Sequence, residues 1–368
     1  MKKVLTSLLF FSIQIGLYAN DGVFLARGNQ LIPVFETDVS LRKEILEIKK
    51  VDDKIIQVDV RYEIFNSSEE KDLTIGFEAL SPNGDVNATP VKGKHPYIHD
   101  FAVKFNDVNL PFKIAYVHDS LYAQSGEIRS TPLNEILGSI TNVNYVDFFY
   151  VYYFTANVKP GLNVIEHKYN YDISSSVEYH YYFEYVLTAA NRWANRQIDD
   201  FRMILDMGSY EDFYISKSFF QNDNFWKLNG KGNYSVVSEE VDLEQSPELL
   251  NFRIHSGTIE YSQKNFKPTG ELFLFSKNLI SYDGYFDYKI HQLPFSYHQQ
   301  YNVQLPVDEI SKEIILALPY ARRGFVFNDK IIQRYYESTV WYIPDPDYKI
   351  DFESLTGKEK EWLEEMKQ

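Results

Sequence analysis

The sequence predicts a mainly β protein, an antiparallel β-sandwich-type region followed by a small α-helical C-terminal module. Three observations predict it. Over 55–65, Ile56, Val58, Val60, Tyr62 and Ile64 share one face while Gln57, Asp59, Arg61 and Glu63 share the other, which is the period of a strand with one wet side. Aromatic residues are abundant, with Tyr 29 and Phe 27, and they suit the pleated, half-buried surface of strands. Short apolar runs separated by Gly, Asn, Asp and Pro continue to about residue 300, and past Pro306 the apolar spacing becomes helical.

In chain order, Lys2 and Lys3 precede an apolar stretch over 4–17 and the small-residue end Leu17-Tyr18-Ala19, the three parts of a secretory signal. Residues 1–19 are therefore expected to be removed on export. Residues 39–65 form two strands around the turn Asp52-Asp53-Lys54, and Asn66-Ser67-Ser68 turns into a strand at 73–77. Pro82-Asn83-Gly84-Asp85 opens a loop-rich stretch to Pro96. A hairpin is expected from 101–105 and 110–114 around Asn106-Asp107-Val108-Asn109. Residues 133–140 have helical character. The aromatic run 146–157, the turn Lys159-Pro160-Gly161, and the runs 162–171, 179–187 and 201–207 read as further strands. Gly230-Lys231-Gly232-Asn233 and Tyr282-Asp283-Gly284-Tyr285 read as turns, with strands at 249–254 and 270–276.

The module over 305–368 begins with a helix expected from Val307 through Leu318, with Pro306 and Asp308 suited to its start and Ile310, Ile314, Ile315 and Leu318 on one face. Gly324 suits the left-handed residue that ends a helix. Asn328 or Asp329 caps a second helix bearing Ile332, Tyr335 and Tyr336. Trp341-Tyr342-Ile343-Pro344-Asp345-Pro346-Asp347 is stiff and extended. Thr356 and Glu359 have the spacing of a capping box for a last helix.

Composition excludes several chemistries. Cys is 0, so thiolate nucleophiles, Cys zinc sites, iron–sulfur clusters and a lipoprotein anchor are ruled out. The formal net charge is -15 with no basic stripe, which argues against nucleic acid. No segment after the leader is long and apolar enough to span a bilayer. No phosphate-cradling glycine pattern and no Gly-x-Ser-x-Gly elbow is present, and no cofactor or catalytic residue is assigned.

Some constellations invite a chemical reading. His95 and His99 stand four apart beside Asp100, a zinc-like spacing if helical, with His118 or Asp119 to complete it; Pro96 argues for a loop instead. Asp345, Asp347, Asp351 and Glu353 form an acidic group without the glycine and terminal glutamate of a calcium loop. The aromatic runs at 148–154 and 179–185 are either a sugar- or peptide-binding surface or sandwich core, and core is favoured. Trp193, between Arg192 and Ala194, reads as a buried ring.

The order Leu318-Pro319-Tyr320-Ala321-Arg322-Arg323-Gly324-Phe325-Val326-Phe327, then Tyr335-Tyr336, Trp341-Tyr342-Ile343-Pro344 and Leu355-Thr356, resembles the YARHG domain. That resemblance implies an exported bacterial envelope protein and no established activity. The fourth letter of the motif is His, and here it is Arg323, which cannot ligate a metal or act as an acid–base group at ordinary pH. Tyr320, Arg322, Arg323, Gly324, Trp341 and Tyr342 are the candidate binding residues. Residues 20–290 are similar to an exported bacterial family, domain of unknown function 4424. The similarity rests on Asn20-Asp21-Gly22, the tract 31–80, especially 58–67, and Tyr185-Val186-Leu187-Thr188-Ala189-Ala190-Asn191-Arg192-Trp193-Ala194. It implies a β-sandwich in the envelope.

The functional expectation is a non-catalytic binding or scaffold protein, periplasmic or extracellular, engaging a protein or glycan partner. The competing expectation is a hydrolase or metal-dependent enzyme whose site is assembled between strands. A module that merely caps a sheet edge is the third.

Overall fold

The computed structural model describes residues 30–33, 38–82, 84–118, 128–238, 248–278, 284–297 and 305–367. The expected leader, Asn20-Asp21-Gly22, Asp119 and Tyr282-Asp283 lie outside the described residues.

Two sheets face each other across one core. The smaller holds β1 (Gln30–Pro33), β4 (Lys71–Leu80), β7 (Lys113–Val117) and β8 (Phe149–Val158) in the order β1-β4-β8-β7. The larger has eleven strands. Its first half contains β2 (Ser40–Lys50), β3 (Ile55–Asn66), β5 (Ile98–Phe105), β6 (Val108–Asn109) and β9 (Gly161–Asp172). Its second half contains β10 (Tyr179–Tyr185), β11 (Ile198–Asp206), β12 (Glu211–Ser216), β13 (Trp226–Ser238), β14 (Glu248–Phe266) and β15 (Leu272–Lys277). The order is β10-β15-β12-β14-β11-β2-β3-β9-β5-β6, with β13 also paired to β14. Among the described residues of this sheet, only β11 against β2 is parallel; the other pairings are antiparallel.

The expected alternation in β3 is the observed one: Ile56, Val58, Val60, Tyr62 and Ile64 are buried. They meet Ile75 and Phe77 of β4 and Tyr152 and Phe154 of β8 in one apolar cluster. Each fully buried side chain of this kind is worth roughly 1.5–3 kcal/mol. The aromatic runs are mostly core, as favoured: Tyr150, Tyr152 and Phe154 point inward, and so do Tyr181, Phe183 and Tyr185. Trp193 is buried too.

Three expectations need correction. Gly230-Lys231-Gly232-Asn233 is not a turn but the middle of β13. A register shift lies between Lys231 and Gly232, and Gly230 sits opposite Gly257 where the two backbones approach closely. The hairpin expected over 101–114 closes only as far as β6, after which the chain crosses to the other sheet as β7. The first C-terminal helix runs beyond Leu318, through Pro319, to Ala321.

Four helices are described: α1 (Leu133–Ser139), α2 (Glu309–Ala321), α3 (Lys330–Glu337) and α4 (Gly357–Lys367). The last three enclose a second core with Phe286, Leu293 and Phe295 from the preceding stretch. A short parallel pair, β16 (Tyr285–Phe286) and β17 (Leu305–Pro306), leads into α2. Among the described residues, no helix is long and apolar enough to cross a membrane.

Candidate functional site

The caps of the C-terminal helices follow from short polar side chains. Asp308 accepts a bond from the Ser311 amide at 2.7 Å, and Asp329 accepts from Ile331 and Ile332. Thr356 and Glu359 form the expected capping box, the Thr356 amide reaching Glu359 Oε2 at 2.8 Å and the Glu359 amide reaching Thr356 Oγ1 at 3.3 Å. Proline inside a helix removes one backbone donor and frees the carbonyl four residues earlier. Here that carbonyl is Ile315 O, and the Trp362 indole N–H takes it at 3.0 Å. The helix therefore survives Pro319.

After Ala321 the chain reverses in a Schellman motif. Phe325 N donates to Tyr320 O at 3.0 Å and Gly324 N to Ala321 O at 2.8 Å, with Gly324 at φ 87°. A Cβ on Gly324 would lie 2.4 Å from Ile343 O, so only glycine lets the Trp341-Tyr342-Ile343 segment pack here.

The reversal directs both arginines inward, onto Glu359. Arg323 donates to Glu359 Oε1 at 2.6 Å and Oε2 at 2.7 Å, and also to Pro319 O and Ser354 O. Arg322 donates to Glu359 Oε1 at 2.7 Å and to Tyr210 O at 3.2 Å. Its guanidinium carbon lies 4.4 Å from the Tyr297 ring centre and 5.0 Å from that of Tyr210. Glu359 is fully buried, and burial alone would raise its pKa; its bonds and charge contacts with Arg323 and Arg322 reverse that and leave it lowered. Two cations share one carboxylate, and aromatic faces take the remaining charge.

Five of the six sequence candidates are thus inside the protein: Arg322, Arg323, Gly324, Trp341 and Tyr342 are buried, and Tyr320 is half-buried. Trp341 donates its indole N–H to Leu293 O at 3.1 Å, and Tyr342 donates to Phe325 O at 2.7 Å. The structure brings them together as a folding unit that also grips the β region. His255 Nε2 bonds Trp341 O at 3.1 Å, Asn233 donates to Val340 O at 2.8 Å, and Lys231 pairs with Asp345 at 3.2 Å.

His95 and His99 do not converge. Both ring nitrogens of His95 are engaged, with Leu80 O and the Tyr97 amide, and burial pushes its pKa down to about 3. His99 lies on β5 and pairs with Asp172 at 3.0 Å, while His118 pairs with Asp147. Among the described residues, no group of three or more histidines and carboxylates is set to hold a metal. In the acidic group, Asp345 holds Lys231, Glu353 holds Lys360, and Asp351 accepts the Glu353 amide.

A cleft of about 790 Å³ opens where the β region meets the module. Its β-region wall comes from Asp52 and Asp53 at the β2–β3 turn, Asp172, Ser175 and Ser176 after β9, Tyr179 and His180 on β10, and Asn278 after β15. Tyr297 and Lys358 close the other side. Asp52 accepts the amides of Lys54 and Ile55, Ser176 Oγ accepts the Tyr179 amide, and Asn278 donates to Ser176 O. Asp53 bridges Lys50 and Lys358, and Lys50 also meets buried Glu211 at 2.6 Å. A second groove, of about 460 Å³, lies on the outer face of β2, β3, β9 and β5 between Glu47, Asp59, Arg61, Lys104, Glu166 and Lys168, where Arg61 and Glu166 pair at 3.0 Å. Sequence reasoning missed the cleft because its walls come from five separated segments. It also missed Tyr210, Tyr297 and His255, which carried no local signal.

The sequence of the C-terminal helices has a counterpart among known families. Residues 313–368 match the YARHG domain. The two arginines, Gly324, Trp341 and Glu359 all fall within the matched residues. No curated protein shows significant similarity to the chain. Among solved structures, a candidate nutrient binding protein of Legionella pneumophila is similar over 94% of this chain and 98% of that one, at 16% identity and TM-score 0.48. The M1 zinc metallopeptidase of Deinococcus radiodurans aligns over 66% of this chain and 43% of its own, at 7% identity and TM-score 0.27. Baculovirus P35 aligns over 67% and 98%, at 13% identity and TM-score 0.26. At these scores none of the three carries an argument about function.

Proposed function

We propose that the chain is an exported, non-catalytic binding protein of the bacterial envelope, and that its ligand is a glycan held in the junction cleft. The observation that carries this reading is the cleft itself. Its size falls within the usual range for small-ligand sites, and it joins hydroxyls, an amide and carboxylates to the rings of Tyr179, His180 and Tyr297. Such a lining suits a neutral, hydroxyl-rich molecule better than the flat face of a protein partner. Lys358, within the residues that match the YARHG domain, lines the side opposite the β region. Residues 20–300 are read as the sandwich-type part, akin to domain of unknown function 4424, and 305–368 as the module, with removal of 1–19 on export.

The cleft also gathers a histidine and three carboxylates, which is what the hydrolase reading expects. Yet Asp52 is held by backbone amides, Asp53 by two lysines and Asp172 by His99. The binding reading is therefore preferred.

The test is calorimetric titration of the mature protein with soluble envelope oligosaccharides, against His180→Ala and Asn278→Ala. Binding by the wild type that weakens at least tenfold in both variants supports the cleft. Unchanged binding in both moves the site elsewhere, and release of shortened sugars on incubation overturns the non-catalytic reading. Amino-terminal sequencing of the exported chain tests cleavage after Ala19.

A further inference from the structure

The core between the sheets is not wholly apolar. A bulge in β2 between Leu41 and Lys43 shifts the alternation by one residue, so that Glu44 points inward with Leu46 and Ile48 while Ile45 faces the outer groove. Tyr62, His167, Tyr169 and Tyr185 share that inner face, and all five side chains are at least 97% buried.

These groups form a continuous chain. Tyr185 donates to Glu44 Oε1 at 3.4 Å, and the hydroxyls of Tyr185 and Tyr62 are 3.1 Å apart. The His167 ring lies parallel to that of Tyr62 at 5.8 Å and nearly parallel to that of Tyr169 at 6.0 Å. Phe77 of the opposite sheet packs on both His167 and Tyr169. Among the described residues, four polar atoms of this network have no hydrogen-bond partner: Glu44 Oε2, both ring nitrogens of His167 and the Tyr169 hydroxyl.

Buried polar atoms are almost always satisfied, and an orphan costs about 1–3 kcal/mol. Phenylalanine or leucine would fill the same space without that penalty. Four such atoms on one chain of contacts point to a partner with hydrogen-bonding groups of its own. A neutral partner suits the site, because burial disfavours the charged forms of Glu44 and His167. Burial holds His167 down at about 3 and raises Glu44 to about 8, so both are neutral at pH 7 and offer donors as well as acceptors.

We infer that the sandwich encloses a polar site, bounded by Glu44, His167 and Tyr169, that takes small neutral hydroxyl-bearing molecules, either ordered water or a small polyol.

The test is the sign of a melting shift. Tyr169→Phe deletes one oxygen and nothing else. In exhaustively dialysed wild type and variant at pH 7, water as the occupant predicts a variant melting roughly 2–6 °C lower, because a satisfied hydroxyl has been lost. If the two melt together in dialysed buffer, and added glycerol or erythritol then raises only the wild type, the occupant is a polyol. A variant that melts equal to or above the wild type under both conditions overturns the site, because the hydroxyl was then a true orphan. His167→Phe at pH 8, where histidine is neutral folded and unfolded, repeats the test with a different side chain and gives the same three outcomes. Far-ultraviolet circular dichroism confirms that each variant folds.

Discussion

Arg323 and Glu359 meet in a two-pronged ion pair closed off from water, with contacts of 2.6 and 2.7 Å, and Arg322 shares the same carboxylate at 2.7 Å. The motif that invited a search for a surface site is therefore the internal clamp of its own domain.

Removing Glu359 strands two buried cations. Glu359→Gln is expected to destabilise the protein by about 3–5 kcal/mol in urea unfolding followed by tryptophan fluorescence. Arg323→His restores the usual motif letter but loses one prong, and a smaller loss is expected. A change under 1 kcal/mol for Glu359→Gln would contradict the clamp.

Glu44 should make the fold weaker in alkali. Its carboxyl titrates near 8 in the folded protein, against an ordinary value of 4.5, because burial disfavours the charged form. The unfolded chain releases that proton first, so the stabilising contribution is complete below pH 4.5 and is lost as pH rises through 8. The slope is up to about 1.4 kcal/mol per pH unit. Glu44→Gln should be nearly neutral at pH 5 and distinctly more stable than wild type at pH 8. Parallel pH profiles for the two proteins would count against a buried, protonated Glu44.

Three buried histidines act in the opposite direction. Burial depresses His95 and His167 to about 3 and His255 to about 4, from an ordinary 6.5. The unfolded chain gains protons below pH 6.5 while the folded one resists, so stability falls as pH drops from 6.5 toward 4. Urea midpoints at pH 7, 5.5 and 4.5 should decline in the wild type and decline less steeply in His167→Phe.

Gly257 and Gly230 oppose each other across β14 and β13. A Cβ on Gly257 would lie 2.2 Å from Asn229 O, and one on Gly230 would lie 2.1 Å from Ser256 O. Both neighbours are backbone and cannot swing aside. Gly257→Ala should cost about 2–3 kcal/mol, read by denaturant unfolding, with the near-ultraviolet spectrum altered around Trp226.

Legibility from sequence followed locality. Alternation identified β3, and the short-range caps at Asp308, Asp329 and Thr356 were visible because each donor sits within three residues of its acceptor. Gly230 and Gly232 misled, since a pair of glycines signals a turn as often as a close approach of two strands. The end of the first C-terminal helix was not legible either, because the Trp362 indole that satisfies Ile315 O beneath Pro319 is 47 residues away. The phase of β2 was hidden by its bulge, which no residue type announces. The junction cleft and the grip of Tyr210 and His255 on the YARHG domain depend on contacts across the chain that carry no sequence period.

The parallel seam of β2 and β11 bears on how the molecule comes into being. Leu41 and Asn195, which bond each other beside that seam, are 154 residues apart, and the register runs from Lys43 with Asp200 to Lys49 with Asp206. During synthesis the first half of the chain waits with one edge of its central strand open until residue 198 has emerged. Such long closures fold slowly and leave an adhesive edge in the meantime. A nascent chain of this design carries an open pairing edge until late in its synthesis, the condition under which misassembly and aggregation compete with folding.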